Sequence, residues 1–185
     1  MNDPWIETYT GRKFFPLNPR ARDLCIEDIA HALAMTCRYN GHCSEFYSVA
    51  QHSCIVSDLC EERWKMAGLM HDAAEAYLGD VVSPVKPFCW FEGGGRFALH
   101  EDILLCAIHD SGVADMMKYL QQPEPVKKVD RAVLMYEHYY LMPNVQTWDR
   151  KPTKLSERLI ETLPPLKCWT WKKSEREFLA RYRGD

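Results

Sequence analysis

Apolar residues at Ile26, Ile29, Ala30, Leu33 and Ala34 recur at the spacing of one helix face, and Asn40-Gly41 supplies a stop shortly after, so a first helix is predicted there. A second runs through Val49, His52, Ile55, Val56 and Leu59, and a third from Trp64 to Leu78, ended by Gly79. Pro84 and Pro87 then predict an extended loop from Asp80 to Phe88. Gly93-Gly94-Gly95 makes a turn ahead of a fourth helix from Phe97 to His109, closed by Gly112. Behind Pro123 and Pro125, the positions Val126, Val129, Val133, Leu134 and Leu141 predict a fifth helix that ends before Pro143.

Two further stretches complete the pattern. Ile6 to Phe15 has β-rich flanks around Gly11-Arg12, which suits a two-residue hairpin turn before Pro16. In the tail a short apolar pattern runs from Leu155 to Leu163, and Ser174-Glu-Arg-Glu177 has the form of a capping box that opens a last helix. The expectation is an all-α fold: one helical-bundle domain over residues 1–185 with a small N-terminal β-hairpin.

Polar residues on those apolar faces carry the candidate chemistry. His52 falls on the apolar face of the second helix and Asp130 on the stripe of the fifth. The run His71-Asp72-Ala-Ala-Glu75-Ala-Tyr-Leu-Gly-Asp80 places four ionisable side chains at the end of an apolar stretch, Met66 to Leu78. Such charges near a core must be paired, hydrogen-bonded or bound to metal. On a helix His71 and Glu75 are four apart and Asp72 and Glu75 three apart, so all three project toward one side. A second His-Asp step, His109-Asp110, precedes Ser111-Gly112 with no carboxylates following at helical spacing, and reads as a helix C-terminus.

Taken singly, His52 is more often a satisfied core residue and the His-Asp step a capped helix end. Four such groups on three helices share a better explanation in one metal ion. Two imidazoles and two carboxylates, His52, His71, Asp72 and Asp130, suit borderline divalent ions such as Zn, Mn, Co, Fe or Ni more than Ca or Mg. Such a set leaves positions open for water and a substrate oxygen.

Composition narrows the partners. The formal net charge of -3 argues against a broad nucleic-acid or lipid-headgroup surface and favours a small-molecule ligand. The start, Met1-Asn-Asp-Pro-Trp, has no signal-peptide character, and no window is apolar enough to span a membrane, so a cytoplasmic protein is expected. The eight cysteines include no Cys-x-x-Cys pair or zinc-finger spacing and read as reduced thiols.

The order His52, His71-Asp72, Asp130 resembles the H…HD…D signature of the HD-domain metal-dependent phosphohydrolases. Glu75 and Asp80 look like the catalytic carboxylates of the branch that contains bacterial 5′-deoxynucleotidases and phage dATP triphosphohydrolases. Ile26-Glu-Asp-Ile-Ala-His-Ala-Leu33, Arg38-Tyr-Asn-Gly-His42, Phe46-Tyr-Ser-Val-Ala-Gln-His-Ser53 and the stretch from His71 to Lys86 read like that branch. The likeness covers residues 5–142 and leaves 143–185 as a helical extension. The loop between Arg38 and His52 differs slightly in length from the bacterial enzymes, which makes the phage enzymes the closer match.

The resemblance implies that His52, His71, Asp72 and Asp130 hold a divalent transition ion, with Zn, Co or Mn favoured and Mg in reserve as a substrate counter-ion. It implies phosphate contacts from Arg38 and Lys86, with Tyr39 and the turn from Val82 to Pro84 against base and sugar. Hydrolysis at the α-phosphorus, with O5′ as leaving group, would then be assisted by Glu75 and Asp80. A dATP triphosphohydrolase is the leading expectation, working as a homo-oligomer in the cytoplasm, or the host's cytoplasm if the chain is phage-encoded. A 5′-deoxynucleotidase and a non-catalytic nucleotide-binding regulator are the alternatives. Arg96 is a candidate for charge near the β and γ phosphates, and His100 and His109 are the histidines that a rival di-iron oxygenase would need.

Overall fold

The computed structural model describes residues 3–92, 95–143 and 151–185. The fold is all-α, with two small antiparallel hairpins as its β structure among those residues. Helix α1 (Ile26–Met35) buries Ile26, Ile29, Ala30, Leu33 and Ala34, the face its periodicity marks. Helix α2 (Val49–Leu59) opens on Ser48, whose side chain accepts the Gln51 N–H and so caps one of the donors that a helix start leaves unpaired. It forms the centre of the bundle, packed by α1, by α3 (Lys65–Met70), by α7 (Glu124–Leu141) and by α9 (Trp171–Arg183).

The remaining helices are α4 (Glu75–Leu78), α5 (Phe97–Asp110), α6 (Met117–Gln121) and α8 (Lys154–Thr162). The third sequence-predicted helix is broken where its chemistry begins. Between α3 and α4 the amides of Ala73, Glu75 and Ala76 bond to carbonyls three residues back, at Met70, Asp72 and Ala73, which tightens the turn over His71–Ala74. Gly79, at φ +81°, then ends α4 as expected.

Several expectations need correction. The first hairpin pairs β1 (Ile6–Glu7) with β2 (Lys13–Phe14), but its loop takes five residues, 8–12, not two. Thr8 N–H bonds to the Arg12 carbonyl and Gly11 N–H to that of Thr8, with Gly11 in the left-handed region. The segment from Asp80 to Phe88 is not extended: Val85 N–H bonds back to the Val82 carbonyl, and Lys86–Phe88 forms a 3-10 turn with Pro87 near its start. A second hairpin, β3 (Trp90–Phe91) with β4 (Gly95–Arg96), leads into α5, and Gly93 and Gly94 lie outside the described residues. Helix α9 starts three residues earlier than its supposed capping box. Thr170 is the cap, accepting from Lys173 N–H, and Ser174 is buried inside the helix. The reciprocal capping box belongs to α8, between Thr153 and Ser156.

The tail is bound to the core. The Gln51 side chain donates to the Lys167 carbonyl at 2.8 Å and accepts the Trp169 N–H at 2.8 Å, and Phe178 is fully buried between α9 and the bundle. Tyr182 donates to the Val113 carbonyl and Tyr136 to that of Pro164. All eight cysteines are free thiols. Among the described residues, no helix is long and apolar enough to cross a membrane.

Candidate metal centre

His52 is placed by the second turn of α2 and is completely buried; His71 and Asp72 begin the tight turn after α3; Asp130 projects from α7. The fold brings all four together. His52 Nε2 lies 3.2 Å from Asp130 Oδ1 and 3.7 Å from Asp72 Oδ2, and His71 Nε2 lies 3.2 Å from Asp72 Oδ2 and 3.9 Å from Asp130 Oδ1. The two imidazole rings are 5.3 Å apart, centre to centre.

Each histidine is held from behind. His52 Nδ1 lies 2.6 Å from Glu137 Oε1, and His71 Nδ1 lies 2.8 Å from the Gly68 carbonyl oxygen. Both partners are acceptors, so Nδ1 carries the proton in each ring and, in the neutral imidazole, the Nε2 lone pair is free. Both Nε2 atoms are buried without a hydrogen-bond partner. Two oriented imidazole nitrogens beside a carboxylate fit a metal ion, and His52, His71 and Asp72 form a group able to hold one. It is the one such cluster among the described residues.

The local charges reflect this crowding. Burial opposes a proton on His52, and Arg38 adds to that, but Glu137 and Asp130 outweigh both and hold the imidazole up at about 10. Burial acts in the opposite direction on Asp72 and raises it, yet His71, His52 and Arg38 bring its carboxyl well below the ordinary range. Burial, then Asp72 and Asp80, push Glu75 well above it. Lys86 Nζ, which lies 3.1 Å from Glu75 Oε1 and 2.8 Å from Glu101 Oε1, acts against that rise with its positive charge. Burial also raises Asp80.

Two clefts flank the group. One, of about 570 Å³, is lined by His71, Asp72, Glu75, Lys86, Glu101 and Asp130, among others. The other, of about 460 Å³, is lined by Arg38, Tyr39, Asp80, Val82, Pro84 and Leu134, among others. Glu75 and Asp80 therefore open onto different clefts, with Ser83 shared between them. Arg38 lies 3.6 Å from Asp72 Oδ2 and 3.4 Å from Glu137 Oε2. It is placed by its backbone N–H bond to the Tyr47 carbonyl and by left-handed turns at Tyr39 and Asn40. Tyr39 lines the second cleft, but its hydroxyl turns to Glu137, donating at 3.2 Å.

Other candidates fall outside. Arg96 stacks over Trp90 at 5.2 Å and lines neither cleft. His100 packs edge-on against Phe91, and His109, at the C-terminal end of α5, lies 3.2 Å from Asp115. Neither histidine belongs to the metal-capable group. Two residues of the site escaped the sequence reading. Glu137 was legible, because it stands seven positions after Asp130, two turns along the same face. Glu101 gave no signal; its role depends on the Lys86 loop folding back over α5.

No family model matches the chain. It is 37% identical over 142 residues to the uncharacterized protein RCAP_rcc00048 of Rhodobacter capsulatus, an alignment that takes in 71% of this chain and 68% of that protein. It is 43% identical over 82 residues to the uncharacterized protein YfdR of Escherichia coli, and there the match spans 44% of this chain and 46% of the relative. At the identity and coverage of the first of these, the chain belongs to the family of the Rhodobacter capsulatus protein RCAP_rcc00048.

Proposed function

We propose that the chain is a metal-dependent deoxynucleotide phosphohydrolase of the HD-domain type, cleaving the bond between the α-phosphorus and O5′. The observation that supports this most is the convergence on Asp72 and Asp130 of two buried Nε2 atoms that make no hydrogen bond, beside a cleft that holds Glu75 and Lys86. His52, His71, Asp72 and Asp130 would hold a transition ion such as Zn, Co or Mn, which supplies Lewis-acid charge for a phosphate oxygen.

The chain's own groups do the rest. Lys86, from one cleft, and Arg38, from the other, neutralise phosphate oxygens as they leave Glu101 and Asp72. Glu75 and Asp80 share the proton work, taking one proton from water and returning one to the leaving O5′. The cleft with Tyr39, Val82, Pro84 and Leu134 offers apolar and aromatic surface to base and sugar.

Resemblance makes dATP the leading substrate, with deoxyadenosine and triphosphate as products. One observation favours a monophosphate instead: the larger cleft lines Asp72, Glu75, Glu101, Asp102 and Asp130 against Lys86 and Lys127, an acidic surround for a polyphosphate tail. A triphosphate would have to enter with Mg as counter-ion. The test is product chromatography with deoxynucleoside mono- and triphosphates in the presence of Mn, Co or Zn. Deoxyadenosine with triphosphate is expected; phosphate from monophosphates alone moves the reading to a 5′-deoxynucleotidase. No product from any of them would replace the enzyme with a nucleotide-binding regulator.

A further inference from the structure

Glu137 is fully buried, on a helix face where the neighbouring inward positions are Val133 and Leu141. An ionised carboxylate there is strongly disfavoured by lost hydration unless donors replace the water. The replacement is divided between its two oxygens. Oε1 accepts from the Tyr47 hydroxyl at 2.6 Å and faces His52 Nδ1 at 2.6 Å. Oε2 accepts from the Tyr39 hydroxyl at 3.2 Å and pairs with Arg38 Nε at 3.4 Å.

One oxygen thus faces the metal group and the other faces the cleft of Arg38 and Tyr39. We propose that Glu137 is a positioning residue: it fixes His52 in the tautomer that offers Nε2 to the metal, and it holds Arg38 and Tyr39 in register with that ion. The second half rests on the nucleotide reading given above. The first half rests on the His52, His71 and Asp72 group alone.

Glutamine at 137 separates the two halves, because it keeps one acceptor oxygen and replaces the other with an NH2 donor. Arg38 is a donor only, so the amide oxygen settles on its side. The NH2 then faces Tyr47, which can accept, and His52 Nδ1, which can accept only by moving its proton to Nε2. That proton would point at the metal position.

Cobalt affinity, read by absorption titration, is therefore expected to fall about 10–100-fold in Glu137→Gln, as for other loss of an outer partner of a ligating histidine. Tyr47→Phe, which leaves the His52 contact in place, should stay within a few-fold of wild type. Nitrogen-15 NMR of the zinc-loaded wild-type protein should show the His52 proton on Nδ1, and this reading needs no variant to fold. Wild-type cobalt affinity in Glu137→Gln, or a His52 Nδ1 without its proton, overturns the proposal. Neither measurement involves a nucleotide, so failure of the phosphohydrolase reading leaves both outcomes decisive.

Discussion

Replacing Gly68 by alanine tests how far the metal group depends on the close approach of α2 and α3. A methyl there would lie 3.0 Å from Cys60 Sγ and 3.2 Å from Ser57 Cα, inside the optimal contact distance of about 3.5–4.0 Å. Ser57 is fixed further by its hydroxyl bond to the Lys65 carbonyl, so the two helices must part by some tenths of an ångström. Overpacking costs about 1–3 kcal/mol, and a clash with the backbone Cα of Ser57 falls in the upper part of that range, about 2–3 kcal/mol; a gain of about 1 kcal/mol on leaving glycine in a helix then gives a net loss of about 1–2 kcal/mol. For a chain of this size the melting temperature should drop by roughly 2–8 °C. The carbonyl of the same residue orients His71, so cobalt affinity should fall as well, by about tenfold. Calorimetry of chelator-treated protein reads the packing loss, and cobalt titration reads the second effect. Cys60→Ala in the Gly68→Ala background removes the nearest contact and should recover part of the melting temperature. A Gly68→Ala protein that melts no lower than wild type and binds cobalt as tightly would rule out both the steric limit at position 68 and the role of its carbonyl.

Metal affinity should depend on pH through His52. The ring holds its extra proton up to about 10 in the metal-free site, so a metal must displace it, and apparent affinity should rise by about tenfold per pH unit between pH 6 and 8; a flat profile in cobalt titration contradicts this. Asp28 provides a stability test away from the site. Burial pushes its carboxyl up, but bonds from Cys25 and Thr10 outweigh that and hold it below the ordinary range. A carboxyl depressed on folding stabilises above its unfolded pKa and loses that contribution as pH falls through the folded one. Asp28→Asn should therefore cost about 1–3 kcal/mol at pH 7 in urea unfolding, with the gap to wild type narrowing below about pH 4. An equal gap at both pH values would count against the assignment.

Helices α1, α2 and α7 were legible because each buries one continuous stripe, and a stripe of period 3.6 is visible without knowing its neighbours. The same stripes exposed His52 and Asp130 as polar intruders. The break at His71–Ala74 was hidden, because tight three-back hydrogen bonding leaves the residue pattern of an α-helix intact. Helix α6 and the second hairpin are too short to carry a period. The 3-10 turn at Lys86–Phe88 replaced an expected extended loop because Pro87 sits near its start, where its missing N–H costs nothing. Lys86 could be named from the chain, but its partner Glu101 is set by how that turn folds back on α5, which is a tertiary fact.

The proposed function requires that His52, His71, Asp72 and Asp130 hold one ion for chemistry that Glu75 assists. It is tested most directly by bound metal per chain, measured together with nucleotide turnover, in wild type, Asp72→Ala and Glu75→Ala. A metal-loaded, active wild type is expected, with an Asp72→Ala protein that has neither metal nor turnover and a Glu75→Ala protein that keeps the metal and loses turnover. Full turnover in Glu75→Ala, or metal retained undiminished in Asp72→Ala, would contradict it.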